Sequence, residues 1–215
     1  GGTCSPPSIT SDTVILTVYQ RSEVTAHPVN KTICEGDNTF FRVNAGVTTN
    51  PAYQWEVDQG SGFNPVVPGP EYSGITSDTL FIIGGTSAMN NWQYRAVISG
   101  TCGPDATSNP AILTVRERPE IITQPTDSTI CEGSSASFMV DAGVTTSASF
   151  QWQVDPNTGT FVNVSGAGYS GQTTSMLNIF NAPSSWNGYR YKVVISGSCT
   201  PPVTSDTVIL TVLQR

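Results

Sequence analysis

The residues whose types and spacing point most directly to chemistry are the five cysteines, and that chemistry is disulfide formation. Cys34 and Cys102 are 68 residues apart, and so are Cys131 and Cys199. Equal spacing predicts the pairs Cys34–Cys102 and Cys131–Cys199, with Cys4 left over. Closing a loop of about 70 residues contributes roughly 4 kcal/mol on the chain-entropy account. Structural disulfides imply an oxidising, extracytoplasmic location.

Other chemistry is scarce. His27 is the only histidine, so neither a histidine-based triad nor a multi-histidine metal site can be assembled. In Thr25-Ala26-His27-Pro28 it reads as an exposed loop residue. Asp155-Pro156-Asn157-Thr158-Gly159 spaces oxygen-bearing side chains as a calcium loop does. Its counterpart Asp58-Gln59-Gly60-Ser61-Gly62 lacks the asparagine, and no downstream glutamate closes a cage. The chain therefore reads as non-enzymatic, with no catalytic residue, metal or cofactor. Charged residues are only 12% of the chain, the net charge is −7, and Lys31 and Lys192 are its only lysines. With no basic patch to meet phosphates, nucleic acid is excluded as a partner and anionic membrane is a poor one. No apolar run reaches the ~18 residues of a membrane span.

The elements that must position the cysteines occur twice. Tyr53-Gln54-Trp55-Glu56-Val57-Asp58 returns 97 residues later as Phe150-Gln151-Trp152-Gln153-Val154-Asp155. Alternation puts Tyr53, Trp55 and Val57 on one face, the period of a strand with one buried side. A Trp centred there buries on the order of 200 Å², or roughly 5 kcal/mol of transfer free energy. Thr32-Ile33-Cys34-Glu35-Gly36, Ala45-Gly46-Val47-Thr48-Thr49, Tyr72-Ser73-Gly74 and Val97-Ile98-Ser99-Gly100 all recur at the same offset. A period of that length exceeds a solenoid unit and matches a self-sufficient domain.

Short strand signals separated by turn residues predict an all-β fold of two tandem immunoglobulin-like sandwiches, plus an orphan terminal strand. Strands are expected at 39–43, 80–83, 94–99 and 111–115, and at 137–141, 176–180, 191–196 and 208–212. Residues 22–116 form one unit and 117–215 the next, joined by the short polar link Arg116-Glu117-Arg118-Pro119. That link has no Gly/Ser tract, so the units are restricted relative to one another. Residues 1–21 repeat the last loop and strand of the second unit. They read as the end of a preceding repeat, with Cys4 the counterpart of Cys199 and its partner upstream. Val14, Leu16 and Val18 then lack a core, and the segment is either loosely ordered or paired with another sheet edge. Within each unit the cysteines lie outside the sheet centre, so a bridge is expected to staple one end of the sandwich. Trp55 and Trp152 are the core anchors. Tyr94 and Tyr191 have the spacing of a tyrosine corner.

The motifs Cys-Glu-Gly, Tyr/Phe-Gln-Trp, Tyr-Ser-Gly, Val-Ile-Ser-Gly-x-Cys and Thr-Val together resemble the Ig-like repeats of large Bacteroidetes cell-surface adhesins of the SprB gliding-motility type. The resemblance covers essentially the whole chain. It implies export by type IX secretion, an extracellular place on the bacterial cell surface, and a structural and adhesive role in gliding motility or attachment. The partners it implies are neighbouring repeats, with surface polysaccharide or other surface proteins as further candidates. Similar repeats also flank catalytic domains, so a carbohydrate-binding or spacer module of a secreted polysaccharide-degrading enzyme is the alternative. Trp92 and Trp186 are its candidate aromatics, although they do not occupy equivalent positions. Asp-Ser/Thr dipeptides at Thr13, Thr79, Ser128 and Thr207 resemble the O-glycosylation sequon of such secreted proteins; strand-edge hydroxyls are the other reading. Val97 with Ile112, and Val194 with Ile209, are expected to form apolar pairs on an outer sheet face, which β-branched propensity alone also explains.

Overall fold

The computed structural model describes residues 1–2, 4 and 9–214. In the first sandwich one sheet is built from β1 (Lys31–Cys34), β3 (Ala52–Asp58), β4 (Phe63–Pro65), β7 (Gln93–Ser99), β8 (Ala106–Thr107) and β9 (Ala111–Arg116). Its order is β1-β9-β7-β3-β4, with β8 on the edge of β7. The facing sheet holds β2 (Thr39–Arg42), β6 (Thr79–Ile82) and β5 (Tyr72–Ser73) in that order. The second sandwich repeats this. Its larger sheet runs β10 (Ser128–Cys131), β18 (Val208–Leu213), β16 (Tyr189–Ser196), β12 (Ser149–Asp155), β13 (Val162–Asn163), with β17 (Val203–Thr204) on β16. Its smaller sheet holds β11 (Ala136–Met139), β15 (Met176–Ile179) and β14 (Tyr169–Ser170).

Among the described residues all strand-to-strand pairings are antiparallel except two: β1 lies parallel to β9, and β10 parallel to β18; an isolated parallel bridge also joins Arg21 to Cys102. The two parallel strand pairs went unrecognised in the sequence because β1 and β10 have only four residues each, too few for alternation to register. They matter most for the cysteines, because they carry Cys34 alongside Arg116 and Cys131 alongside Leu213.

Each core is centred on its Trp. Trp55 and Trp152 are fully buried among Phe41, Leu80 and Ile98, and among Phe138, Leu177 and Ile195. Burying an indole requires a partner for its N–H. Trp55 Nε1–H donates to the Ser77 carbonyl at 2.9 Å, and Trp152 Nε1–H to that of Thr174 at 2.9 Å. Tyr94 and Tyr191 are equally buried, but they form no tyrosine corner. Their hydroxyls cross between the sheets to those of Tyr72 and Tyr169, at 3.2 and 3.1 Å. Burial pushes both buried phenols well above the usual tyrosine range, so they stay protonated. The recurring Tyr-Ser-Gly motif supplies these partners. Its glycines, Gly74 and Gly171, adopt φ of +72° and +74°, and an added Cβ would meet the Thr79 or Met176 carbonyl oxygen at 2.1 Å.

The two outer-face apolar pairs do not form. Val97 stands opposite Thr107 and Ile112 opposite Gln93, while Val194 faces Thr204 and Ile209 faces Arg190. The interruption between β8 and β9, and between β17 and β18, sets this register apart from a continuous ladder. Residues 9–20 form no strand, and Val14, Ile15, Leu16 and Val18 are exposed.

Asp155, in the stretch with calcium-like spacing, is engaged by protein groups. Its fully buried side chain is ion-paired with Arg190 and accepts the backbone N–H groups of Thr158 at 2.8 Å and Gly159 at 3.0 Å. Burial alone would raise this carboxyl, but Arg190 and the two N–H groups outweigh it and hold it below the ordinary value of 3.8. Its contribution to stability is therefore present above that value and lost as pH falls through the lowered folded one. Asp155→Asn is expected to reduce the stability of the second sandwich in urea at neutral pH. The gap to the parent chain should narrow as pH falls below 3.8 and close only below the lowered folded value, where the Asp155 carboxyl is neutral.

Candidate functional site: the junction between the sandwiches

Because β1 runs parallel to β9, Cys34 arrives at the end of the first sandwich from which the chain departs. Glu35 N–H donates to the Arg116 carbonyl at 2.9 Å and fixes this end. The loop between β16 and β17 of the second sandwich reaches the same place. Thr146 organises it: Glu117 N–H donates to Thr146 Oγ1 at 2.8 Å, and Ser198 N–H to the Thr146 carbonyl at 2.9 Å. That loop carries Cys199, which is nearly fully buried and disulfide-bonded to Cys34, with Cα atoms 5.8 Å apart.

The pairing expected from equal spacing is corrected here. The bridge joins Cys34 to Cys199 across the two sandwiches, and Cys102 and Cys131 are free thiols, as is Cys4. Cys102 lies in the loop between β7 and β8, at the opposite end of its sandwich from Cys34. About ten residues separate Ala106 from Arg116, and at ~3.3 Å per strand residue that is about 30 Å. A disulfide tolerates a Cα separation of only about 4.4–6.8 Å. Within-unit bridges are thereby excluded by length.

Arg118 locks the same junction. Its Nε–H donates to the Glu35 carbonyl at 2.8 Å, Nη1–H to the Thr200 carbonyl at 2.5 Å, and Nη2–H to Asp37 Oδ1 at 2.6 Å. Asp37 also accepts the Cys34 N–H at 3.2 Å, so the guanidinium and the bridge share a support. One planar fork thus ties both sandwiches to the link between them. Glu35 and Glu117 meet here as well. A hydrogen bond donated to Glu35 raises the Glu117 carboxyl, while the Ser87 N–H and then Glu117 lower that of Glu35. Arg118→Ala is expected to cost about 1–2 kcal/mol, because three hydrogen bonds are lost at a half-exposed site. The cost should appear as a lower urea midpoint at unchanged slope. Arg118→Lys should recover only part of it, since an ammonium is not a planar fork.

Arg118, Asp37 and Glu35 were not singled out in the sequence. The available signal was periodic: Arg21, Arg118 and Arg215 stand at successive 97-residue steps.

The remaining candidates are dispersed. His27 is exposed and its Nδ1 accepts the Asn109 N–H at 3.0 Å. Trp186 is stacked on Tyr169, centroids 4.8 Å apart, and on Tyr189 at 5.9 Å. Trp92 packs against the first core and lines, with Tyr72, Met89, Glu71 and Asn64, a cleft of about 240 Å³. Thr13 and Thr207 are exposed, whereas Thr79 and Ser128 are half-buried at strand starts. Among the described residues no helix is long and apolar enough to cross a membrane.

No protein-family model matches the chain. Its backbone superposes on an I-band fragment of titin with a TM-score of 0.66, covering 90% of this chain and 66% of that one at 17% identity. The fold is that of tandem immunoglobulin domains. Human Roundabout homolog 2 is 24% identical over 143 residues, which is 66% of this chain and 10% of that protein. Endoglucanase C of Cellulomonas fimi is 27% identical over 131 residues, 61% of this chain and 11% of that protein. The chain thus spans about a tenth of the curated relatives it matches. A disulfide-bridged immunoglobulin-like chain belongs in an extracellular or secreted setting.

Proposed function

We propose that this chain is a structural and adhesive stretch of a long bacterial cell-surface filament. In this reading residues 1–21 close a preceding repeat, and residues 22–116 and 117–215 are two successive repeats. The filament is of the SprB gliding-motility type, exported by type IX secretion. The Cys34–Cys199 bridge carries the reading, together with the Arg118 fork beside it. A covalent tie between successive domains serves a module that must keep its direction over a distance, and does nothing for a domain that acts alone. The exposed side chains of Val14, Ile15, Leu16 and Val18 are what a strand without its sheet presents. Thr13 and Thr207, exposed beside aspartates, are the foremost positions for O-glycans, with Thr79 and Ser128 next.

The similarity to an endoglucanase favours a second reading, a spacer or carbohydrate-binding module of a secreted polysaccharide-degrading enzyme. The size and location of the native product separate the two. A cell-associated chain many repeats long is the expected result. A released chain of ordinary length carrying a catalytic domain, or retention of residues 22–215 on polysaccharide, would favour the second.

A further inference from the structure

We infer that Cys131 and Cys102 are the two unfilled halves of the same inter-sandwich bridge, each built to receive the cysteine of a further sandwich of this type. An array of these units would then be cross-linked at every junction, each unit to the next. The inference rests on the reading of the chain as part of a repeat array and specifies how that array is joined.

The support is that both backbone frames already exist. Around Cys34 the junction is set by the register Cys34–Arg116, by Glu35 N–H to Arg116 O at 2.9 Å, by Asp37 N–H to Cys34 O at 3.0 Å and by Gly36 N–H to Gly85 O at 2.8 Å. Around Cys131 the same bonds recur: register with Leu213, Glu132 N–H to Leu213 O at 2.9 Å, Ser134 N–H to Cys131 O at 3.0 Å and Gly133 N–H to Ala182 O at 2.8 Å. Cys131 is exposed there.

Cys199 is presented by Glu117 N–H to Thr146 Oγ1 at 2.8 Å, Thr146 N–H to Glu117 O at 3.4 Å and Ser198 N–H to Thr146 O at 2.9 Å. Cys102 is presented by Gln20 N–H to Thr49 Oγ1 at 2.8 Å, Thr49 N–H to Gln20 O at 3.4 Å and Thr101 N–H to Thr49 O at 2.9 Å. The positions that form the bridge at one junction are thus reproduced, in the same hydrogen-bonded setting, at both outer ends. One difference is informative: the position of Asp37 is Ser134 in the second unit, so the fork beside Cys131 would lack its carboxylate.

Bridge formation removes two protons and two electrons from two thiols. The electrons pass to a disulfide oxidant: one thiolate displaces a sulfur of the oxidant to give a mixed disulfide, and the incoming thiolate resolves it, releasing the reduced oxidant.

The test is the full chain followed, after Arg215, by a second copy of residues 119–215 bearing Thr204→Ser as a mass mark. It is refolded with reduced and oxidised glutathione and mapped by non-reducing peptide mass spectrometry. The expected products are Cys34–Cys199 and a bridge from Cys131 to the marked Cys199 peptide, leaving three free thiols. Cys131 found as a thiol, or bonded to Cys102 or to its own unit's Cys199, would overturn the inference. Folding of the added unit is read separately from its tryptophan fluorescence transition. The Cys131→Ser variant, folded but with the marked cysteine newly titratable, keeps the result interpretable. A native product with no further repeat would defeat the array reading while leaving this chemistry intact; a free Cys131 would defeat the bridge alone.

Discussion

Replacing Cys34 by Ser together with Cys199 by Ala is expected to lower the stability of both sandwiches at once, although neither core is touched. When one sandwich unfolds in the bridged chain, its segment is still pinned at two places: the bridge and the covalent link at 116–119. The loop closed in that state has about 80 residues, and the chain-entropy account assigns its closure about 4 kcal/mol. For units of this size that corresponds to a fall in Tm of about 20 °C. Scanning calorimetry should show both transitions shifted downward. Small-angle scattering should show a broader distribution of end-to-end distance, because only non-covalent contacts, chiefly those of Arg118, are left beside the chain link to hold the junction. Transitions and scattering curves identical to those of the parent would mean that the bridge contributes nothing to either property. Pairing Cys34→Ser with Cys199→Ala avoids a buried thiol able to mispair with Cys102 or Cys131.

Trp152→Ala should act in the opposite way, severely and within one unit. It removes the largest side chain of the second core, fully buried beside Phe138 with ring centroids 6.4 Å apart. It also removes the indole N–H that donates to the Thr174 carbonyl. Large-to-small substitution of a buried Trp costs about 3–5 kcal/mol. That is a large share of the stability of a domain of about 100 residues. The expected result is a second sandwich that melts far below the first, with the first transition nearly unmoved. Trp152→Phe should fall between, keeping part of the packing and losing the N–H. Equal shifts of the two transitions would show that the cores are not independent.

The two predictions divide along the line between what the sequence disclosed and what it did not. Trp55 and Trp152 were legible because a strand with one buried face has period two, and the indole sits at its centre in both repeats. The all-β class followed from the same alternation and from the turn residues between strands. The cysteine pairing was not legible, for a specific reason. In a tandem repeat the 68-residue spacing recurs whether each cysteine bonds within its unit or one unit onward, since a shift by one period changes the partner and leaves the pattern intact. Only the parallel pairing of β1 with β9 breaks the tie, and such short strands carry no periodic signature. Tyr94 and Tyr191 show a similar limit. Their burial could be read from alternation, but hydroxyl partners on the facing sheet depend on how the sheets stack. Arg118 reaches residues far away in sequence, so no local rule singles it out; only its recurrence at the repeat period marked it.

The central claim is that successive sandwiches are joined to each other by a disulfide and are not stapled within themselves. Non-reducing proteolysis of the alkylated native chain, followed by mass spectrometry of the cross-linked peptides, tests it most directly. The account predicts a linked pair containing Cys34 and Cys199, with Cys102 and Cys131 alkylated. Linked peptides containing Cys34 with Cys102 and Cys131 with Cys199 would contradict it.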